Sequence, residues 1–148
     1  MSAEKPVRIR TAGLVVRGGK LLLVGHLKSG RKYWLVPGGG VDFGESAADA
    51  LAREMREELS LEVKAKDLVF TCDSIDPSGE RHVFNLFFSC EETGGELVLG
   101  DDPRLCDFRF FTADEISSLT VFPPCPAQLI AYLNGEAQPT YAGSIWEE

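Results

Sequence analysis

Short apolar runs alternate with glycine-bearing polar breaks over the first forty positions. Residues 12–16 and 21–24 flank Arg17-Gly18-Gly19-Lys20, and a run at 33–36 stops at Pro37 and three glycines. A Gly-Gly pair between two apolar runs predicts a tight hairpin, so 12–16 and 21–24 read as antiparallel strands. Lys28-Ser29-Gly30-Arg31-Lys32 reads as a polar, basic loop and 33–36 as a third strand. From Ser46 the period changes. Leu51, Met55 and Leu59 recur at i, i+4 and i+8 among helix-forming alanines, and Ser46 followed by Asp49 resembles a capping box, which predicts a helix. Beyond it, β-branched and aromatic runs at 68–75 and 82–90 flank Asp76-Pro77-Ser78-Gly79 and predict a longer hairpin. Residues 96–99 and 107–111 read as two more strands joined by Gly100-Asp101-Asp102-Pro103. Thr112 to Glu115 forms a capping-box pattern opening a short helix to about Leu119, and a last helix is expected near 127–133. A polar tail follows from about 135, although its 141–146 segment is apolar enough to dock on the domain or on a second subunit. Strands gathered around helices imply an α/β domain, a mixed sheet covered by helices.

Composition narrows the functional classes. A chain of 148 residues, 44% hydrophobic and 26% charged, fits a single globular domain over 1–148. Lys plus Arg is 15 against 23 Asp plus Glu, a formal charge of -8, so no general basic field exists for nucleic acid or an anionic membrane. A phosphorylated partner would have to be met by a local cation cluster or a metal. Cys72, Cys90, Cys106 and Cys125 lack metal-ligand or disulfide-framework spacing and read as thiols in a reducing compartment. No apolar run approaches the roughly 18 residues of a membrane span, and a cytoplasmic protein is expected.

The chemistry concentrates on the first helix. In Arg53-Glu54-Met55-Arg56-Glu57-Glu58 the three glutamates project from one side, next to the apolar stripe of Leu51, Met55 and Leu59. Their carboxylates are expected to converge. A solvated charged face is the commonest explanation of such a run. The preceding Pro37-Gly38-Gly39-Gly40 changes the weighing, because it places backbone amides and carbonyls where no side chain obstructs them. A hard divalent cation working beside phosphates suits this set, Mg²⁺ first and Mn²⁺ as a substitute.

Gly39, five residues, Glu45, seven residues, then Arg53 through Leu61 resembles the Nudix box of the Nudix hydrolases, with Ser60 where the family usually has glycine. The resemblance covers roughly residues 7 to 134 and implies an α/β/α sandwich. It further implies that Glu54, Glu57, Glu58 and the Gly38 carbonyl hold Mg²⁺. Arg53 would steady the glutamates, and Glu45 would add a further carboxylate. Glu57 or Glu54 is the first choice of general base and Asp101 or Asp102 the second, although an ordinary acidic turn explains the aspartates equally well. Gly39, Gly40, Arg31 and Pro77 would meet substrate, Pro77 because ADP-ribose pyrophosphatases tend to carry a proline about sixteen residues beyond the box. The implied substrate is a nucleoside diphosphate derivative, ADP-ribose or a nucleotide sugar first. The alternatives are a nucleoside triphosphate pyrophosphohydrolase and a non-catalytic nucleotide-sensing domain, as monomer or homodimer. Arg8, Arg10, Lys28, Arg31 and Lys32 are candidates for phosphate contacts, and Tyr33, Trp34, Phe43 and Phe84 for stacking on a base, with Trp34 and Phe84 more readily explained as core. His26 and His82 lack ligand spacing and read as structural or exposed.

Overall fold

The computed structural model describes residues 5–146. The chain runs β1 (Arg8–Leu14), β2 (Val16–Arg17), β3 (Lys20–Lys28), β4 (Arg31–Leu35), β5 (Gly38–Gly40) and α1 (Ala47–Leu59). It continues through β6 (Leu61–Ile75), β7 (His82–Gly95), β8 (Leu105–Phe111), α2 (Ala113–Ile116), α3 (Pro126–Leu133) and β9 (Tyr141–Ser144). One mixed sheet has the order β5-β1-β7-β6-β9, with β1 parallel to β7 and β9 parallel to β6. The second sheet centres on β3, which pairs antiparallel with β2, β4 and β8.

The sheets divide the apolar residues into two cores. Ala12, Leu14, Leu21, Leu23, Phe70, Phe87 and Phe111 pack with Ile116 of α2 and Leu129 of α3 in one. Leu22, Val24 and Leu35 pack under Leu51, Met55 and Leu59 of α1 in the other. The result is the α/β/α sandwich with a mixed sheet that the sequence implied.

The first hairpin is shorter than expected. Residues 12–16 do not make one strand, because an apolar run without alternation is buried on both sides and the chain changes sheet within it. Leu14 ends β1 in the first core and Val15 enters the second, leaving only Val16 and Arg17 to pair with Leu21 and Lys20. The basic loop at 28–32 contracts to a turn at Ser29 and Gly30, both at positive φ, with Lys28 and Arg31 already in register. The β6–β7 hairpin forms as expected and extends to Leu61 and Gly95 through register shifts.

The first helix starts where the pattern placed it. Ser46 accepts a hydrogen bond from the Asp49 amide at 3.0 Å. At its other end Ser60 takes the left-handed conformation, φ 56° and ψ 26°, that its glycine-like place required. Residues 96–99 are not a strand. They serve the helix instead: the Val98 amide donates to the Leu59 carbonyl at 2.9 Å and the Gly100 amide to that of Glu58 at 2.7 Å, satisfying carbonyls that a helix end leaves open. Thr112 and Glu115 form the expected reciprocal capping box. The expected polar tail returns as β9 at the edge of the mixed sheet, where the Tyr141 hydroxyl donates to Asp73 at 2.8 Å. All four cysteines are free thiols. No helix among the described residues is long and apolar enough to cross a membrane.

Because a side chain in the left-handed region costs about 1 kcal/mol over glycine, Ser60→Gly should stabilise the fold by about that amount. A urea titration should show a higher midpoint at unchanged slope.

Candidate active site

The helix lies close to the strands beneath it because two glycines give way. A Cβ on Gly13 of β1 would come 2.5 Å from Met55 Cε and 2.8 Å from Cys90 Sγ. A Cβ on Gly39 of β5 would fall on the Glu54 carboxyl itself. The carboxylates of α1 therefore overhang the glycine-rich strand directly.

Arg53 ties this junction together. Its guanidinium donates to Glu45 at 2.8 and 2.9 Å, to the Gly40 carbonyl at 3.1 Å and to Glu54 at 2.9 Å. The fork joins the loop before α1, strand β5 and the helix face in one bidentate-rich cluster. Glu45 is consequently held down at about 2, with the Arg53 hydrogen bonds the main cause and the Asp42 amide adding to them. Glu57 is reached only at 3.4 Å, and its side chain stays 60% exposed.

Glu54, Glu57 and Glu58 all line one cleft, but their carboxylates are not gathered at a single point. Among the described residues, no three Asp, Glu, His or Cys side chains are grouped so as to share a cation. The physical reason is visible in the hydrogen bonds: the Arg53 guanidinium acts as counter-cation for Glu54 and Glu57, drawing both toward itself, while Glu58 turns into the protein. Glu58 Oε2 is buried and has no hydrogen-bond partner. Burial is the main reason that its carboxyl is pushed up to about 7, the nearby Glu54 charge adding to this and Arg10 opposing it. Glu54 is also raised, again chiefly by burial. An unpartnered buried carboxylate oxygen beside a second desolvated carboxyl fits a site for a hard cation, since few other groups would satisfy it.

These groups form the floor of a cleft of about 780 Å³, the size of a nucleotide-sized ligand site. Gly38, Gly39, Gly40, Glu54, Glu57 and Glu58 line it, and Arg8, Arg10, Lys28, Arg81 and Arg104 supply five cations to its walls. In a chain of net charge -8, that is the local cation cluster a phosphorylated ligand would need. Arg10 is fixed by donating to the Val36 carbonyl at 2.7 Å, and its Nη1 is buried without a partner.

A family model described as the NUDIX domain matches residues 7–133. The chain belongs to the Nudix family. It is 34% identical over 97 residues to a protein of Methanocaldococcus jannaschii named ADP-ribose pyrophosphatase, covering 65% of this chain and 57% of that one. It is 32% identical over 114 residues to the Pseudomonas putida NAD-capped RNA hydrolase NudC, covering 77% and 37% respectively. The chain thus spans little more than a third to under three fifths of the length of these relatives. Among solved structures, the fold matches a MutT Nudix hydrolase from Burkholderia pseudomallei with TM-score 0.75 and 24% identity, over 84% of this chain and 97% of that one. It matches a Nudix hydrolase from Nitrosomonas europaea with TM-score 0.78 and 22% identity, over 90% and 93%.

Several expected site residues lie outside the cleft lining. Pro77 is absent from the cleft lining and occupies the β6–β7 turn, where the Ser78 amide donates to Asp76 Oδ1 at 2.9 Å and Gly79 to the Asp76 carbonyl. The local turn explains it fully. Arg31 lies outside the lining at the start of β4, and Lys32 pairs with Asp107 at 3.1 Å and lies over the Trp34 ring. Trp34 is core, edge-to-face with Phe111. Phe43 is fully exposed, and neither it nor Phe84 reaches the cleft. Glu45 stands behind Arg53 and outside the lining. Asp101 and Asp102 do line the cleft, and Arg104 holds Asp102 at about 2 by direct hydrogen bonds.

His26, expected to be structural or exposed, is buried on β3 and lines the cleft, with burial lowering its pKa. Arg81, Asn85, Arg104 and Phe122 also line it and carried no recognisable spacing. Arg81 and Asn85 follow a hairpin turn whose aim only the sheet register sets. His82, by contrast, bonds Asp73 at 2.7 Å outside the cleft lining.

Gly39→Ala should displace the Glu54 carboxyl and cut kcat by about a hundredfold or more, because misplacing a reacting group by 1 Å has that effect; steady-state kinetics with a matched melting curve would separate this from unfolding. Glu58 carries a second expectation. Its folded value of about 7 lies above its ordinary 4.5, so its contribution to stability is greatest below the lower value and is lost as pH rises through the upper one. In chelator-treated protein Glu58→Gln should therefore be neutral near pH 4 and stabilising at pH 8, by on the order of 3 kcal/mol at most. Denaturant titrations at the two pH values check the sign.

Proposed function

We propose that this Nudix domain is a divalent-cation-dependent pyrophosphohydrolase that cleaves the diphosphate linkage of a nucleoside diphosphate derivative, ADP-ribose or a nucleotide sugar first. The observation that carries the reading is the unpartnered, buried Glu58 oxygen beside Glu54 on the floor of a cleft whose walls hold five cations. The name of the archaeal relative supports ADP-ribose, and Pro77 does not.

Glu54 and Glu58, joined by Glu57 and the Gly38 carbonyl, would hold the cation, Mg²⁺ first with Mn²⁺ as substitute. When bound, such an ion neutralises diphosphate charge and makes water a better nucleophile. The remaining work falls to the chain. Arg53 anchors Glu54 and keeps β5 against the helix. Arg8, Lys28 and Arg81 have no ion-pair partner among the described residues and are free to meet phosphate oxygens in the cleft, while Arg104 is shared with Asp102. Glu57, more exposed than Glu54 and held by Arg53 at longer distance, is the first choice to accept the proton of the attacking water, with Glu54 next. Asp101 follows. Asp102 is poorly suited because Arg104 stabilises its ionised form.

The test is hydrolysis by the purified protein of ADP-ribose, nucleotide sugars, dinucleoside polyphosphates and oxidised nucleoside triphosphates, with Mg²⁺ and with chelator, resolving the products. AMP plus ribose 5-phosphate, lost on chelation, is the expected outcome. A nucleoside monophosphate plus pyrophosphate would assign the protein to triphosphate hydrolysis, and nucleotide binding without turnover to sensing. Glu57→Gln should lower kcat by orders of magnitude at saturating Mg²⁺ with an unchanged melting temperature.

A further inference from the structure

The two walls of the cleft differ in chemistry. The wall from the mixed sheet presents Arg8, Ser74 and Asn85 with Val83, and Arg81 stands just before β7. The other side carries Tyr33 and Leu35 of β4, Leu105 of β8, Phe122 and Pro123, so the Tyr33 and Phe122 rings gather there, together with His26 and Lys28 of β3 and Arg104. Phe122 is bound to this wall by its backbone: its amide donates to the Trp34 carbonyl at 2.9 Å, next to Tyr33. The Tyr33 and Phe122 rings stand 6.4 Å apart at 75°, and His26 lies 5.6 Å from Tyr33.

Behind Phe122 is a ring that does not itself line the cleft. Trp146 meets Phe122 edge-to-face at 5.7 Å and 86°. It is delivered there by β9, which is held to β6 by the Thr71 amide on the Thr140 carbonyl, the Ile145 amide on the Asp73 carbonyl at 2.8 Å, and the Tyr141 hydroxyl on Asp73. An edge-to-face ring restrains its neighbour's rotation beyond simple burial. The final described strand thus buttresses one wall of the site from outside it.

We propose that the Tyr33–Phe122 wall is the seat of the substrate's nucleobase, and that Trp146 is a positioning residue that holds Phe122 in the orientation the base stacks on. This rests on the nucleotide reading above. The Tyr33 and Phe122 rings suit a planar base, whereas the mixed-sheet side contributes Arg8 and Arg81 to the lining but no aromatic ring and suits phosphates. Trp146 meets Phe122 from outside the cleft lining, so its loss should change how well a base-bearing substrate is held relative to a base-free one.

The test compares kcat/KM for ADP-ribose with that for di(ribos-5-yl) diphosphate, in which ribose stands in place of adenosine so that only the base is missing. In Trp146→Ala the preference for ADP-ribose should fall at least fivefold, mostly through KM, as expected for a weakened base–aromatic stack. Phe122→Ala should lower it further, and Trp146→Phe should restore it. An unchanged preference in both alanine variants would overturn the proposal. A second measurement needs no turnover: in a Trp34→Phe background Trp146 is the remaining tryptophan. Adenosine monophosphate should then perturb its emission while ribose 5-phosphate does not; equal response to both, or to neither, would also overturn the proposal. Absence of turnover on every substrate in the unaltered protein would remove the hydrolase reading and leave the fluorescence result to decide the seat of the base.

Discussion

The close approach of α1 to β1 and β5 governs the rest of this molecule. Helix and sheet normally stand a side chain apart, but here Met55 fills the space above Gly13 and the Glu54 carboxyl fills the space above Gly39. The packed face of the helix, Leu51, Met55 and Leu59, is buried in one core, which sets its rotation. With rotation and height both fixed, Glu54 and Glu58 must lie at the rim of the sheet beside the glycine-rich strand. The site is thus a consequence of packing at Gly13 and Gly39 as much as of the acidic residues themselves.

Bringing carboxylates into that position concentrates negative charge in a partly desolvated place, and the structure offsets it in two ways. Arg53 binds Glu45, Glu54 and the Gly40 carbonyl together, so a single guanidinium neutralises charge while tying three chain segments. Glu58 receives less help. Its Oε2 is buried without a hydrogen-bond partner, and burial raises its carboxyl to about 7 against the opposing charge of Arg10. Five cations in the cleft lining stand against its five carboxylates, in a chain that is acidic as a whole.

Segments outside the box finish the design. Residues 95–100 lie across the end of α1, where the amides of Val98 and Gly100 satisfy carbonyls of Leu59 and Glu58, and this fixes the acidic turn at Asp101 and Asp102 beside the cleft. Strand β9 extends the mixed sheet and brings Trp146 behind Phe122. Both segments read differently in isolation, one as a strand and one as a polar tail.

The elements with their own chemistry were legible in the sequence: the 3.6-residue period and Ser46 cap of α1, the Thr112 capping box, the turn at Asp76 to Gly79, and the box spacing from Gly39 to Leu61. Each depends on neighbours within a few positions, so local pattern suffices. Tertiary structure decided the remainder. Only sheet registry sends residues 12–16 into two cores, turns residues 96–99 into a helix cap, and aims Arg81, Asn85 and His26 into one cleft while leaving Pro77 and Arg31 outside it. Only the folded electrostatics show Arg53 holding Glu54 and Glu57 and Glu58 left unpartnered. A side chain's direction and its desolvation are properties of what packs around it, and those neighbours come from distant parts of the chain.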